Sequence, residues 1–278
     1  MPIDYEVEYN NRARVPEHPE IFARWQRDGE AYRIEATTER RAELGIKYGP
    51  SPRQFIDLFM PKSGAANAPL SMFIHGGYWR SLEPAMFSQM ARGLNARGIT
   101  VAVAGYDLVP QVAIRDIIAQ TQQACLALWK KLGKRIMVSG HSAGGHLAAC
   151  MLATDWKALG APADLVPAAM TVSGVHDLMP LLHLANNAEF KLDEAEARRV
   201  SPIYWPAPKG RALDAVVGGM ESAEFLRQSK IIADAWGKDN ATRYEAVPGM
   251  NHFTVCDPMS DPKSAMVERL ATLTQRAA

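Results

Sequence analysis

Residues 140–144 read Gly-His-Ser-Ala-Gly, a G-x-S-x-G pattern set between two apolar runs. Arg135-Ile136-Met137-Val138-Ser139 precedes it as a buried-strand candidate. His146-Leu147-Ala148-Ala149-Cys150-Met151-Leu152-Ala153 follows it as a helix candidate. A serine on such a strand-to-helix turn is forced into a tight conformation, and only small flanking residues let the two backbones approach. The turn pushes the Ser142 hydroxyl into a cleft, within reach of a base. By itself the pattern also fits an ordinary glycine-rich turn, since Gly, Ser and Ala are common; its setting is what points to chemistry.

The remaining elements place that turn in a layered α/β architecture. Residues 1 to about 45 are charged and Arg/Glu-rich and suggest a helical N-terminal extension with no strand. Phe55–Met60, Leu70–Ile74 and Ile99–Ala104 read as strands, as do the shorter runs 168–172, 214–217 and 243–247. Pro84–Arg97 reads as a helix ended by Gly98. Val112–Leu132 carries Ile114, Ile117, Ile118, Cys125, Leu126 and Trp129 at helical spacing and stops at Gly133. Helices are also expected over 222–236 and 263–276. Near-continuous apolar strands alternating with helices imply a mostly parallel sheet covered on both faces. The 278 residues suffice for one domain.

Composition narrows the class. The formal net charge is +1 with no basic stripe or acidic tail, so nucleic acid is not an expected partner. No run approaches the apolar length that spans a bilayer, so no membrane association is expected. The polar N-terminus lacks the basic start and apolar core of a signal peptide. Cys125, Cys150 and Cys256 have neither metal-ligand nor CxxC spacing. These features point to a cytoplasmic protein, and acyl transfer to a serine such as Ser142 needs no metal or organic cofactor.

In a parallel sheet ligands bind beyond the carboxyl ends of the strands, so a functional motif should follow a strand. His75-Gly76-Gly77-Tyr78-Trp79 does: it follows the strand 70–74. Its two glycines leave backbone N–H groups free to point into the cleft. With the amide of Ala143, Gly76 and Gly77 form a candidate oxyanion hole. A plain glycine turn is the alternative. Of the seven histidines, His252 follows the last strand, where the base falls in the chain order serine, acid, histidine. His18 sits in a polar stretch, and His75 more readily props its loop. His141 and His146 flank Ser142 too closely to fold back on it. His176 and His183 follow the strand 168–172 and are candidates to line the pocket. The acid belongs after the penultimate strand, and Glu221 is the choice there. Asp214 falls within the strand, Glu224 in the first turn of the next helix, and Asp177 at a turn.

The order HGGYW, GHSAGGH, acid loop, NHF resembles the α/β-hydrolase fold, and within it the kynurenine formamidase (arylformamidase)-like branch close to hormone-sensitive-lipase-type esterases. HGGYW is distinctive, because the broader esterase group usually has a third glycine where this chain has Tyr78. Tyr106-Asp107-Leu108-Val109-Pro110, Ser173-Gly174-Val175-His176-Asp177-Leu178 and Glu224-Phe225-Leu226-Arg227-Gln228-Ser229 also fit that branch. The likeness covers about residues 46–278, and Tyr-Asn-Asn-Arg-Ala-Arg near the N-terminus extends it. It implies an eight-stranded type of sheet, Ser142 as nucleophile, His252 as base, and Gly76, Gly77 and Ala143 at the oxyanion hole. One departure stands out: the family typically has Asp where this chain has Glu221.

The substrate implied is a small ester or amide (formamide), cleaved through an acyl-enzyme on Ser142. Tyr78, Trp79, His141 and His176 are substrate-binding candidates. Residues 178–206 could form a small cap carrying His183, Phe190, Tyr204 and Trp205, rings that either face an aromatic acyl compound or simply fill core. The absence of a large inserted lid argues against a lipase at an oil surface. Lactone, carbamate or thioester cleavage on the same triad is the alternative, and a non-catalytic ligand-binding relative is a third reading. Oligomeric state is left open, with a homodimer as the candidate assembly.

Overall fold

The computed structural model describes residues 2–238 and 240–277. Their centre is an eight-stranded sheet of order β1-β2-β4-β3-β5-β6-β7-β8. The strands are β1 Ala42–Lys47, β2 Phe55–Phe59, β3 Leu70–Ile74, β4 Thr100–Ala104, β5 Met137–His141, β6 Ala168–Val172, β7 Ala212–Gly218 and β8 Ala241–Val247. β2 runs antiparallel to both of its neighbours, and every pairing from β4 through β8 is parallel. The buried central strands therefore read as apolar runs, since helices cover both faces.

The helices are α1 Tyr5–Tyr9, α2 Asn11–Arg14, α3 His18–Thr38, α4 Ala91–Asn95, α5 Ile114–Leu132, α6 Ala143–Ala153, α7 Asn187–Phe190, α8 Glu194–Arg199, α9 Ala223–Trp236 and α10 Ala265–Gln275. Alternation along the strands divides the core in two. Leu70, Met72 and Ile74 of β3 pack on one face with Ile117, Cys125 and Leu147. Phe73 of the same strand joins Val101, Met170, Trp25 and Leu270 on the other. α6 is buried from Ala143 to Leu152, which explains why its sequence is apolar all round rather than amphipathic.

Three expectations are corrected. The segment 1–45 is not free of strand, because β1 begins at Ala42. β1 is a mostly exposed edge strand, broken by a bulge between Glu43 and Ile46 with Gly45 at φ +72°, so it lacks an apolar alternation. Residues 84–97 do not form one helix. Pro84–Met90 winds as 3₁₀ turns, and α-helix covers only Ala91–Asn95. The strand expected at 135–139 lies two residues later, which brings its end directly to Ser142.

Candidate active site

Ser142 stands between β5 and α6 with φ +56° and ψ −118°, a conformation that non-glycine residues avoid. The surrounding glycines make the turn feasible. A Cβ on Gly140 would lie 2.1 Å from the Gly144 carbonyl oxygen, and one on Gly144 would lie 2.0 Å from that of Ile74. No side chain fits either gap, so α6 starts against β3 and β5 at backbone distance.

Three loops at the carboxyl end of the sheet converge on this serine. His252, five residues past β8, places Nε2 3.1 Å from Ser142 Oγ. Its Nδ1 lies 2.6 Å from Glu221 Oε2. Glu221 follows β7 and is 6% exposed. Its other oxygen accepts from the Ser173 hydroxyl at 2.5 Å and the Gly218 amide at 2.6 Å. The carboxylate is thus held on both sides, and a donating Nδ1–H leaves Nε2 free to accept the serine proton. Ser173 is a site residue that sequence reasoning missed. The Ser-Gly-Val-His-Asp run after β6 was its only signal.

The other carboxylates considered are engaged elsewhere. Glu224 is paired twice with Arg227 at 2.8 Å and accepts from the Tyr9 hydroxyl at 2.9 Å. Asp177 caps the Met179 amide, accepts from Tyr204 and faces Arg227. Asp214 lies inside β7 and pairs with Arg269.

Gly76 and Gly77 lie across from Ser142. A Cβ on Gly76 would sit 2.8 Å from the His141 carbonyl oxygen and 3.0 Å from Ser142 Cβ. Gly77 has φ +112°, and its Cβ would meet the Ser81 carbonyl oxygen at 2.2 Å. Among the described residues, the Gly76, Gly77 and Ala143 amides take no part in the loop and cap hydrogen bonds of the backbone. His75 supports the loop: its Nδ1 donates to the Gly76 carbonyl at 2.7 Å, and its ring stacks on Tyr106 at 4.3 Å. Burial pushes its pKa down to about 3, so it stays neutral.

The cleft over Ser142 encloses about 450 Å³ and is lined by Ser142, His252, His141, Gly77, Tyr78 and Phe253 together with residues from two further segments. His141 Nε2 donates to the His252 carbonyl at 2.7 Å, which ties the two rings together. Burial, reinforced by His252, holds the His141 pKa well below its usual value.

The substrate-binding expectations need correction at two positions. Trp79 is fully buried behind the cleft, donating from Nε1 to His146 Nδ1 at 3.3 Å. His176 is also fully buried, with its ring against Gly174. Neither lines the cleft. Of the two roles left open for the rings of residues 178–206, lining the cleft is not the one they take. Phe190 packs on Tyr78 and Trp79, His183 stacks on Tyr5, and Trp205 bonds to the Arg199 carbonyl. That segment contributes Leu184, Asn186 and Glu189 instead. The aromatic wall comes from the N-terminal segment, through Tyr9, Phe22 and Trp25. The dense Tyr-Asn-Asn-Arg run was the only sequence hint of it.

Among the described residues, no three His, Cys, Asp or Glu side chains gather as a metal-binding group. No helix among them is long and apolar enough to cross a membrane.

Known proteins carry the same frame. The BD-FAE family profile matches residues 56–195. A kynurenine formamidase from Salmo salar is 29% identical over 227 residues, covering 78% of this chain and 77% of its own length. A crystal structure from Silicibacter sp., provisionally named a thioesterase, is 32% identical with a TM-score of 0.86, covering 96% of this chain and 98% of that one. An esterase from Pyrobaculum calidifontis superposes with a TM-score of 0.68 at 17% identity, covering 99% and 98% of the two chains, a likeness of fold alone.

Proposed function

The chain belongs to the BD-FAE family and to the arylformamidase- and esterase-like α/β-hydrolases, and from that premise we propose that it is a serine hydrolase acting on a small ester or formamide. The observation that carries this reading is the unbroken chain Ser142 Oγ–His252 Nε2 at 3.1 Å and His252 Nδ1–Glu221 Oε2 at 2.6 Å, opening on the cleft.

In the proposed mechanism His252 takes the Ser142 proton as the oxygen attacks the carbonyl carbon. Glu221 holds the ring in the required tautomer and stabilises the imidazolium. The oxyanion settles toward the Gly76, Gly77 and Ala143 amides, which are preorganised donors. The imidazolium then protonates the leaving alcohol or amine. Water, deprotonated by His252, attacks the acyl-enzyme and regenerates the serine. Trp25, Phe22, Tyr9 and Tyr78 support a substrate with a flat aromatic part, and the name of the salmon relative supports a formamide. The provisional name of the Silicibacter structure favours thioester cleavage as the second reading. The free, buried cysteines suit a reducing compartment, and the cytoplasm is the proposed location.

The test has two arms. A fluorophosphonate probe should label the wild-type protein and not Ser142→Ala; folded wild type that stays unlabelled sinks the mechanism. Comparing N-formylkynurenine with short- and long-chain acyl esters and thioesters then decides the acyl group. A preference for thioesters would replace the formamide reading.

A further inference from the structure

Three residues just past the oxyanion glycines occupy the left-handed region: Tyr78 at φ +53°, Trp79 at +55° and Leu82 at +72°. Bulky side chains avoid that region, and such a run persists only where its surroundings over-determine it. Here the fastenings are visible. Trp79 is tied to His146, and the Tyr78 ring stacks on Phe190 at 6.3 Å. The Tyr78 hydroxyl donates to the Tyr9 carbonyl at 2.5 Å.

Tyr9 is itself pinned. Its hydroxyl donates to Glu224 Oε2 at 2.9 Å and accepts from Gln228 Nε2 at 2.7 Å. Next to it, Glu8 accepts from the Glu224 amide at 3.0 Å. Glu224 lies in the first turn of α9, three residues past Glu221. Hydrogen bonds at the backbone and at the hydroxyl of Tyr9 therefore join the oxyanion loop, through the N-terminal segment, to the helix behind Glu221. A glycine at position 78 would adopt this φ freely but could make no such tether.

We infer that Tyr78 is a positioning residue: through the Tyr9 carbonyl, its hydroxyl fixes the angle at which the Gly76–Gly77 segment presents its amides to the tetrahedral intermediate. The inference rests on the serine-hydrolase reading. It adds that the N-terminal segment belongs to the transition-state machinery as well as to the cleft wall. A tether that aims oxyanion donors acts on the transition state and leaves ground-state binding nearly untouched.

Tyr78→Phe tests this, because it removes one oxygen and keeps the ring. With phenyl acetate, kcat should fall on the order of 10-fold, less than the ~10²–10³ that follows loss of a whole oxyanion donor. KM should change by less than about twofold. Affinity for phenylboronic acid, which forms a tetrahedral adduct on the serine, should fall by the same factor as kcat. Amide hydrogen exchange over residues 76–82 should quicken. Tyr9→Phe, which frees the other end of this connection, should give the same pattern more weakly. A wild-type kcat, or a loss confined to KM with boronate affinity intact, overturns the inference. So does unchanged exchange over 76–82. That last readout needs no turnover, so it judges the tether even if wild type neither binds the boronate nor cleaves the ester, an outcome that would sink the serine mechanism instead.

Discussion

Glu221→Gln separates the carboxylate's charge from its packing, because the side chain keeps its length. In the native site Oε1 accepts from Ser173 and Gly218, and Oε2 accepts from His252 Nδ1. Two donors on one oxygen decide how the glutamine sits: its carbonyl must face them, so its NH₂ faces His252. Nδ1 then has to accept, the ring carries its proton on Nε2, and Nε2 can no longer take the Ser142 proton. Holding a triad histidine in the wrong tautomer lowers kcat by on the order of 10⁴, which corresponds to about 5 kcal/mol of barrier. Stability should change by only ~1 kcal/mol, since all three contacts survive and lose only their charge assistance. The assay is p-nitrophenyl acetate turnover beside guanidinium unfolding. If Glu221→Gln keeps kcat within about tenfold of wild type, the tautomer argument fails and Glu221 is not the acid. A large loss of stability together with activity would make Glu221 a structural anchor of the β7 loop. Glu221→Asp adds a further check, because the shorter arm cannot hold Ser173, Gly218 and His252 at once. Its kcat should fall between those of wild type and Glu221→Gln, in the range of ~10–100-fold below wild type.

Other consequences follow from the same geometry. His252→Ala should lower p-nitrophenyl acetate turnover by roughly 10⁶, and a retained acyl burst would count against its role as base. Gly77→Ala, with φ +112° and the Ser81 carbonyl 2.2 Å from the new Cβ, should lower kcat by ~10²–10³ with little change in KM. Gly144→Ala drives a methyl onto the Ile74 carbonyl, so the protein should lose at least ~3 kcal/mol or fail to fold; a wild-type melting temperature would contradict the packing. Burial lowers the pKa of His75 and His176 to about 3 and that of His146 to about 4. Their folded pKa values lie below the unfolded ~6.5, so the unfolded chain binds more protons and stability falls as pH drops below that value. Each should remove up to ~2 kcal/mol by pH 5, and a guanidinium midpoint that stays flat from pH 7.5 to 5 would refute the linkage.

The candidate reacting groups were legible because the chemistry proposed for them imposes local geometry that sequence records. A nucleophile on a strained turn demands glycines at 140 and 144, where a Cβ would strike backbone. Free amides after β3 demand Gly77 at φ +112°. Strand ends are where such loops must lie, and β3, β5, β7 and β8 are apolar or β-rich enough to be seen. Each signal spans only a few residues. Where the pattern was weak the expectation failed: β1 is an exposed edge strand with a bulge, and the turns from Pro84 to Met90 follow 3₁₀ rather than α spacing.

The cleft walls follow a different logic. A wall residue needs only to be apolar and present, a requirement that many positions meet equally well. Phe190, Tyr204 and Trp205 satisfied it in sequence, yet they pack into core or face solvent. Tyr9, Phe22 and Trp25 line the cleft because long-range contacts carry them there: Tyr9 bonds to Glu224 and Gln228, Phe22 packs on Phe253, and Trp25 bonds to Asp257 at 3.1 Å. Those partners lie more than 200 positions away, so no local window contains both halves of the contact. The two kinds of information also part company under mutation. Changing Ser142, His252 or Glu221 should alter every substrate alike, since each acts on the reacting carbonyl. Changing Trp25 or Phe22 should reorder substrates while the acyl chemistry persists. Related chains that share the glycine turns but differ over residues 5–25 should therefore share a mechanism and differ in acyl preference.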